Sequence, residues 1–325
     1  MKILHVLRQT SGLVAALCIG TSAVAADWEM PTPYPDKTFH TANIIEFADD
    51  VRASTNGEVD ITVHSAGSLI KHPEIKNSVR SNLVPIGEFF LSRLSNEDAA
   101  FGVDSQPFVA TSYEEAKKLW DAQKPVVTEL LAKQNLLPLF SVPWPPQGLY
   151  SKNEISSVED LKGLKFRAYN ATLENFATIA GAAPTQVEAP DIAQAFSTGQ
   201  VEAMITSPST GANTKAWDFI DYYSPINAWV PKNIVVVNKK AFDTLAENTK
   251  MAILSAAAEA ETRGWTMSME ETESKTKELR DNGMNIVEPS DVLMTGLKTI
   301  GSDMQDEWNN SASTDAQSII ESFNQ

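Results

Sequence analysis

Apolar positions along the chain switch between two spacings, every second residue and every third or fourth, which are the periods of strands and of helices. Ile44, Phe47, Ala48 and Val51 fall at helical spacing within residues 42–54, and Asn56-Gly57 closes that segment. Val59, Ile61 and Val63 then alternate with Asp60, Thr62 and His64, the pattern of a half-buried strand. Pro73, with Ile75 and Val79 behind it, predicts a second helix, because proline in the first turn removes an N–H that has no helical partner. The apolar run 83–86 predicts a short buried strand, so the opening order is β, α, β, α, β.

Residues 113–134 carry Ala116, Leu119, Trp120, Val126, Val127, Leu130 and Leu131 on one face, and Pro125 is expected to break the segment into two helices. Residues 136–142 return as a strand and run into Pro143-Trp144-Pro145-Pro146, where each proline fixes φ and removes a donor. That run reads as a hinge or crossing point. Ser156 with Glu159 has the form of a capping box, and 164–169 alternates as a strand. Residues 172–181 and 191–198 read as helices, and 183–187, 201–205 and 233–238 as strands. From Phe242 to Leu279 almost every residue is a helix former, beyond the roughly 8–20 residues of a domain helix, so this helix bends or bridges two bodies. The alternation predicts an α/β fold of two lobes facing one cleft, with lobe I built from 26–144 plus 233–272 and lobe II from 145–232 plus 273–325.

Charge narrows the partners. With 26 Lys+Arg against 42 Asp+Glu the chain carries a formal −16, the wrong sign for nucleic acid or an anionic membrane surface. Lys2 and Arg8, the apolar run 13–19 and Ala23-Val24-Ala25 have the order of a secretory signal peptide, residues 1–25, cleaved near Ala25. The run is well short of the ~20 residues that a membrane anchor needs. Cys18, inside that run and preceded by bulky Leu17, reads as part of the discarded peptide rather than as a lipid attachment site. The mature chain then lacks cysteine, has no later segment able to span a bilayer, and is expected in the periplasm, as a monomer.

Candidate chemistry is sparse. There is no Gly-x-Ser-x-Gly turn, no His-Glu-x-x-His or Cys-x-x-Cys spacing, and no glycine-rich phosphate cradle. The mature histidines are His40, His64 and His72, with His64 on the polar phase of its strand. No cofactor and no resident metal are expected. Paired carboxylates keep a periplasmic carbohydrate-active enzyme open as an alternative, but two lobes with aromatic residues near a proline-marked crossing favour a cleft that closes on a small solute.

Four stretches then carry a family resemblance. Val142-Pro143-Trp144-Pro145-Pro146-Gln147-Gly148-Leu149-Tyr150, Asp160 to Arg167 (DLKGLKFR), Ala195 to Ala203 (AFSTGQVEA), and Thr55 to Val59 with Ser65 to Leu69 occur in the order seen in the extracytoplasmic solute-binding subunits of TRAP transporters, the DctP-type family, which the chain resembles over nearly its whole mature length. The resemblance implies two α/β lobes joined by crossing strands and braced by a long helix. It also implies delivery of a captured solute to membrane permease subunits driven by an ion gradient, and a substrate-pairing arginine at Arg167. The physical case for Arg167 stands beside it: a planar guanidinium grips a carboxylate through two parallel hydrogen bonds. The alternative is that Arg167 pairs with one of the chain's own acidic side chains.

Three departures shape the expected solute. Gln147 stands where sialic-acid binders have a second arginine, Thr206-Ser207-Pro208 replaces E-N-P, and Ala189 replaces an aromatic residue. Sialic acid is therefore not the expected solute. Gln147 and Ser207 are expected to orient polar groups, and Trp144 and Tyr169, with Phe89 and Tyr150 nearby, to cover a ring. Glu88 either accepts a hydroxyl hydrogen bond from the solute or caps a helix. The expected solute is a small, ring-bearing organic acid, an aromatic acid or a uronic or aldonic acid, with an amine or neutral solute as the alternative.

Overall fold

The computed structural model describes residues 26–325, so the expected signal peptide lies outside the described residues. The chain opens with β1 (Ala26–Pro31), the leading strand whose residues the pattern did not place, then α1 (Phe39–Ser54), β2 (Val59–His64), α2 (His72–Arg80) and β3 (Ile86–Phe90). The third strand thus lies later than the apolar run suggested. Leu83 is 73% exposed in the turn after α2, while all five residues of β3 are buried. Gly87 lets that strand pass under α2, since a Cβ there would sit 2.8 Å from Ile75 Cγ2.

Next come α3 (Tyr113–Ala132) and β4 (Leu136–Pro143). Contrary to expectation α3 is one helix with Pro125 inside it. The carbonyl orphaned by Pro125 belongs to Asp121, an exposed residue that water can reach, while Trp120, Val127 and Leu131 stay buried on one face. The second half continues with β5 (Gly148–Ser151), β6 (Lys165–Ala168), α4 (Ala171–Ile179), β7 (Ala183–Gln186), α5 (Ile192–Ser197), β8 (Ala203–Thr206), α6 (Pro208–Asn213) and β9 (Tyr222–Ser224). The capping box before β6 is Ser157 with Asp160, one residue later than expected. Then follow β10 (Lys232–Asn238), α7 (Lys239–Asp243), the 35-residue α8 (Glu247–Asp281), β11 (Asn285–Ile286), α9 (Asp291–Ser311) and α10 (Thr314–Phe323).

These elements build two lobes. In lobe I, β1 and β2 pair in parallel, and β3-β10-β4 form an antiparallel sheet covered by α1, α2 and α3. In lobe II a six-stranded mixed sheet runs β11-β9-β5-β8-β6-β7. Each has its own core, around Phe47, Phe140 and Trp120 in lobe I and around Phe166, Phe176 and Tyr223 in lobe II. Two antiparallel segments cross between them. Trp144 N donates to Pro231 O at 2.8 Å and Gln147 N to Trp229 O at 3.0 Å, so the proline run is paired with the approach to β10.

The long helix α8 packs on α1 and β4 of lobe I and on α6 and β11 of lobe II. Gly264 permits the close crossing, because a Cβ there would lie 2.4 Å from Val142 Cγ2. Arg263 to Asn43 and Trp265 to the Ser141 carbonyl add polar ties at the same level. The last helix departs from the expected division: Ala316 and Ile319 of α10 pack with Ala100, Val103 and Leu119, on lobe I. No helix among the described residues is long and apolar enough to cross a membrane.

Candidate functional site

Where the lobes meet lies a narrow cavity. Lobe I and the crossing segment contribute Tyr34, His72, Phe90, Trp144 and Gln147, and lobe II contributes Arg167, Tyr169, Glu188, Ala189, Thr206 and Thr210. Strand β6 brings Arg167 there: it pairs with β7 at Thr185 and with β8 at Met204, and its side chain leaves the sheet toward lobe I.

Arg167 is 3% exposed, donates Nε to the Val187 carbonyl at 3.0 Å, and has its guanidinium carbon 5.0 Å from the centre of the Tyr169 ring. It forms no ion pair among the described residues, so the acidic partner considered from sequence is not there. Burial lowers its pKa to about 10, which leaves it cationic at neutral pH. The result is a buried cation whose two terminal nitrogens are uncommitted to any carboxylate of the chain.

The rings around it are held by hydrogen bonds as well as packing. Tyr169 OH accepts from Trp229 Nε1 at 2.9 Å and donates to Gln147 Oε1 at 3.2 Å, and Gln147 Nε2 donates to the Pro145 carbonyl at 2.7 Å. Gln147 therefore keeps one N–H for a solute. On the opposite wall Asn233 Oδ1 accepts from both Trp144 Nε1 at 2.9 Å and Tyr34 OH at 3.1 Å, fixing two rings edge to face with centroids 5.0 Å apart. Phe90 and Tyr169 meet across the lobes in the same manner at 5.3 Å.

Four of the residues expected at the site lie elsewhere. Glu88 is 1% exposed behind Tyr34 and Trp144, where it accepts from Thr32 Oγ1 at 2.6 Å and Asn233 Nδ2 at 3.0 Å; it neither faces the cavity nor caps a helix. Phe89 points to the other face of β3, into the core with Ile75 and Trp120, and Phe90 takes the cavity position. Ser207 is the N-cap of α6, its Oγ accepting from Thr210 N at 3.0 Å, and its neighbours Thr206 and Thr210 line the wall instead. Tyr150 is buried beneath α6, 4.6 Å from the Tyr223 ring, and donates to the Ser207 carbonyl.

Sequence reading missed Tyr34, His72, Glu188 and Thr210. Glu188 accepts from Arg93 Nη1 at 2.9 Å and lies 3.0 Å from His72 Nδ1, both across the cleft. Burial opposes its charge, but the His72 hydrogen bond and the positive charges of Arg93 and Arg167 prevail and bring its pKa to about 2. Burial also holds His72 and His40 below the ordinary histidine value. His40 sits between Phe39 and Trp144 with Nδ1 3.4 Å from Glu88 Oε1.

A pH prediction follows with a definite sign. A histidine whose folded pKa is depressed contributes stability that is full above its unfolded pKa, about 6.5, and is lost as pH falls through the folded value. The thermal midpoint is therefore expected to drop as pH is lowered from about 7.5 to 5, above the range where Glu188 loses its charge. His40→Gln should flatten that slope. An equally steep slope in the variant would show that His40 titrates normally.

Comparison with known proteins gives this geometry a family. Residues 32–310 match the DctP family, bacterial extracellular solute-binding protein, family 7. The chain belongs to this family. Its members are the periplasmic solute-receptor subunits of TRAP transporters and work with membrane permease subunits. Two similar solved structures are extracytoplasmic solute receptors of Bordetella pertussis that bind pyroglutamic acid. DctP7 is 40% identical, with 93% of this chain and 100% of that chain covered and a TM-score of 0.91. DctP6 is 41% identical, with 92% and 99% covered and the same TM-score. A TRAP solute-binding protein from a marine metagenome, from an unidentified microbe, is specific for pyroglutamate; it is 40% identical, with 92% and 99% covered and a TM-score of 0.90.

Proposed function

We propose that this DctP-family chain captures pyroglutamate, or a closely similar ring-bearing monocarboxylate, in the interlobe cavity and presents it to the permease without altering it. The observation that carries the reading is Arg167, a buried cation with no acidic partner of its own, opening into a cavity walled by Tyr34, Phe90, Trp144 and Tyr169. A ligand carboxylate supplies the missing charge through two parallel bonds, and the rings exclude water from that pair and enclose a small flat ligand. Gln147, Thr206 and Thr210 are placed to meet its polar edge.

Three relatives near 40% identity that take pyroglutamate support this choice over the uronic, aldonic and aromatic acids that the sequence alone left open. Ala189, where the family often carries an aromatic residue, gives the cavity a small side chain on that side. Removal of residues 1–25 on export would deliver the chain to the periplasm, and the lobes would close by rotation about the paired segments 144–147 and 229–231.

The test is a thermal-shift panel of pyroglutamate, pyroglutamide, glucuronate, 4-hydroxybenzoate and neutral sugars. A solute at 100 times its Kd adds about 2.7 kcal/mol, or a shift of roughly 5 °C or more. Pyroglutamate is expected to give that shift and pyroglutamide none. A shift with pyroglutamide or sugars and none with any acid would overturn the assignment.

A further inference from the structure

Two charged side chains line the cavity among the described residues, Arg167 and Glu188, and they face different neighbours. Glu188 rises from lobe II just after β7, while its partners stand on lobe I: His72 at the start of α2, and Arg93 in the turn after β3. The backbone N–H of Phe90 donates to His72 Nε2 at 3.1 Å, which leaves the ring proton on Nδ1 and makes neutral His72 a donor to Glu188 Oε2. Arg93 Nη1 is engaged by Glu188 Oε1 and the Tyr169 carbonyl. Arg93 does not itself line the cavity, so Arg167 is the guanidinium that reaches it among the described residues.

We propose that Glu188, docked across the cleft on His72 and Arg93, is a specificity-determining residue that restricts the solute to a single carboxylate. The inference rests on the reading that Arg167 takes that carboxylate. A second carboxylate directed toward Glu188 finds no second cation among the described residues lining the cavity and meets the Glu188 oxygens, with buried Glu88 adding negative charge one layer behind Tyr34 and Trp144. An uncharged N–H or O–H meets an acceptor instead, because each Glu188 oxygen has one protein partner and a lone pair left. The carboxyl stays ionised through neutral and mildly acid pH. Since the acceptor and its two donors sit on opposite lobes, closure assembles the filter.

Calorimetric titration with pyroglutamate and with glutarate, a five-carbon dicarboxylate, tests this on wild type, Glu188→Gln and Arg93→Gln. Wild type is expected to prefer pyroglutamate by about 100-fold or more, and Glu188→Gln to narrow that gap by about tenfold, through a relative gain for glutarate. Arg93→Gln leaves Glu188 less neutralised and is expected to widen the gap. An unchanged gap in Glu188→Gln, or a narrowed one in Arg93→Gln, overturns the filter while the Arg167 reading stands, because wild type still binds pyroglutamate. Wild type that binds pyroglutamide no less tightly than pyroglutamate overturns the Arg167 reading and the filter with it.

Discussion

Arg167→Ala is expected to abolish solute capture while leaving the chain folded. Two charge-assisted hydrogen bonds to a buried carboxylate contribute about 3–6 kcal/mol together, which is roughly 10²–10⁴ in Kd. The unliganded fold loses little by the change: the side chain makes one hydrogen bond to the Val187 carbonyl and holds a desolvated charge without an acidic partner. Removing an uncompensated buried charge offsets the lost bond and packing. The thermal midpoint without ligand should therefore stay close to wild type, and the shift on adding pyroglutamate should vanish. Arg167→Lys keeps a charge but not the planar pair of donors, and an intermediate loss is expected. An Arg167→Ala variant that binds within about threefold of wild type would place the carboxylate elsewhere, since an effect that small is under 1 kcal/mol.

Asp104→Ala is expected to produce the largest loss of stability. Asp104 and Lys232 are both completely buried where the crossing segment enters β10, with Lys232 Nζ 3.5 Å from Asp104 Oδ2 and otherwise without a hydrogen-bond partner. The same carboxylate oxygen accepts from the Lys232 backbone N–H at 3.0 Å, so it also fixes the start of the strand. Burial raises the Asp104 pKa and lowers that of Lys232, which marks how little solvent either charge retains. Truncating one partner of a buried pair costs about 3–5 kcal/mol, because the other charge is stranded. At roughly 2 °C per kcal/mol for a chain of this size, the midpoint should fall by about 6–10 °C. The double variant Asp104→Leu/Lys232→Met removes both charges and is expected to recover most of that loss. Equal midpoints for the double and single variants would show that the pair itself contributes the stability.

The pattern of the chain revealed more of the fold than of the site. Alternation places β2 and β6, short apolar runs place the largely buried β4 and β10, and an unbroken run of helix formers places α8, which packs on both lobes. Arg167 and Gln147 were legible through the family resemblance, and Trp144 and Tyr169 through their places in the proline run and two residues beyond Arg167. Glu88 and Phe89 were misplaced by one cause: exposed Leu83 looked like a strand start, so β3 was set too early and its alternation was lost. Ser207 followed by Pro208 carries the signature of an N-cap with proline at the first helical position, a signal that points away from the cavity. Glu188, His72 and Tyr34 had no such signal. They lie outside the strands and far apart in the chain, and only the meeting of the lobes brings them together.

The most direct test of the central claim is calorimetric titration of the wild-type protein, freed of any co-purified solute, with pyroglutamate and then with pyroglutamide. Saturation at one pyroglutamate per chain with no measurable heat from the amide is the predicted result, because the amide offers Arg167 no negative charge. Equal affinity for the two would contradict the account and remove Arg167 from solute recognition.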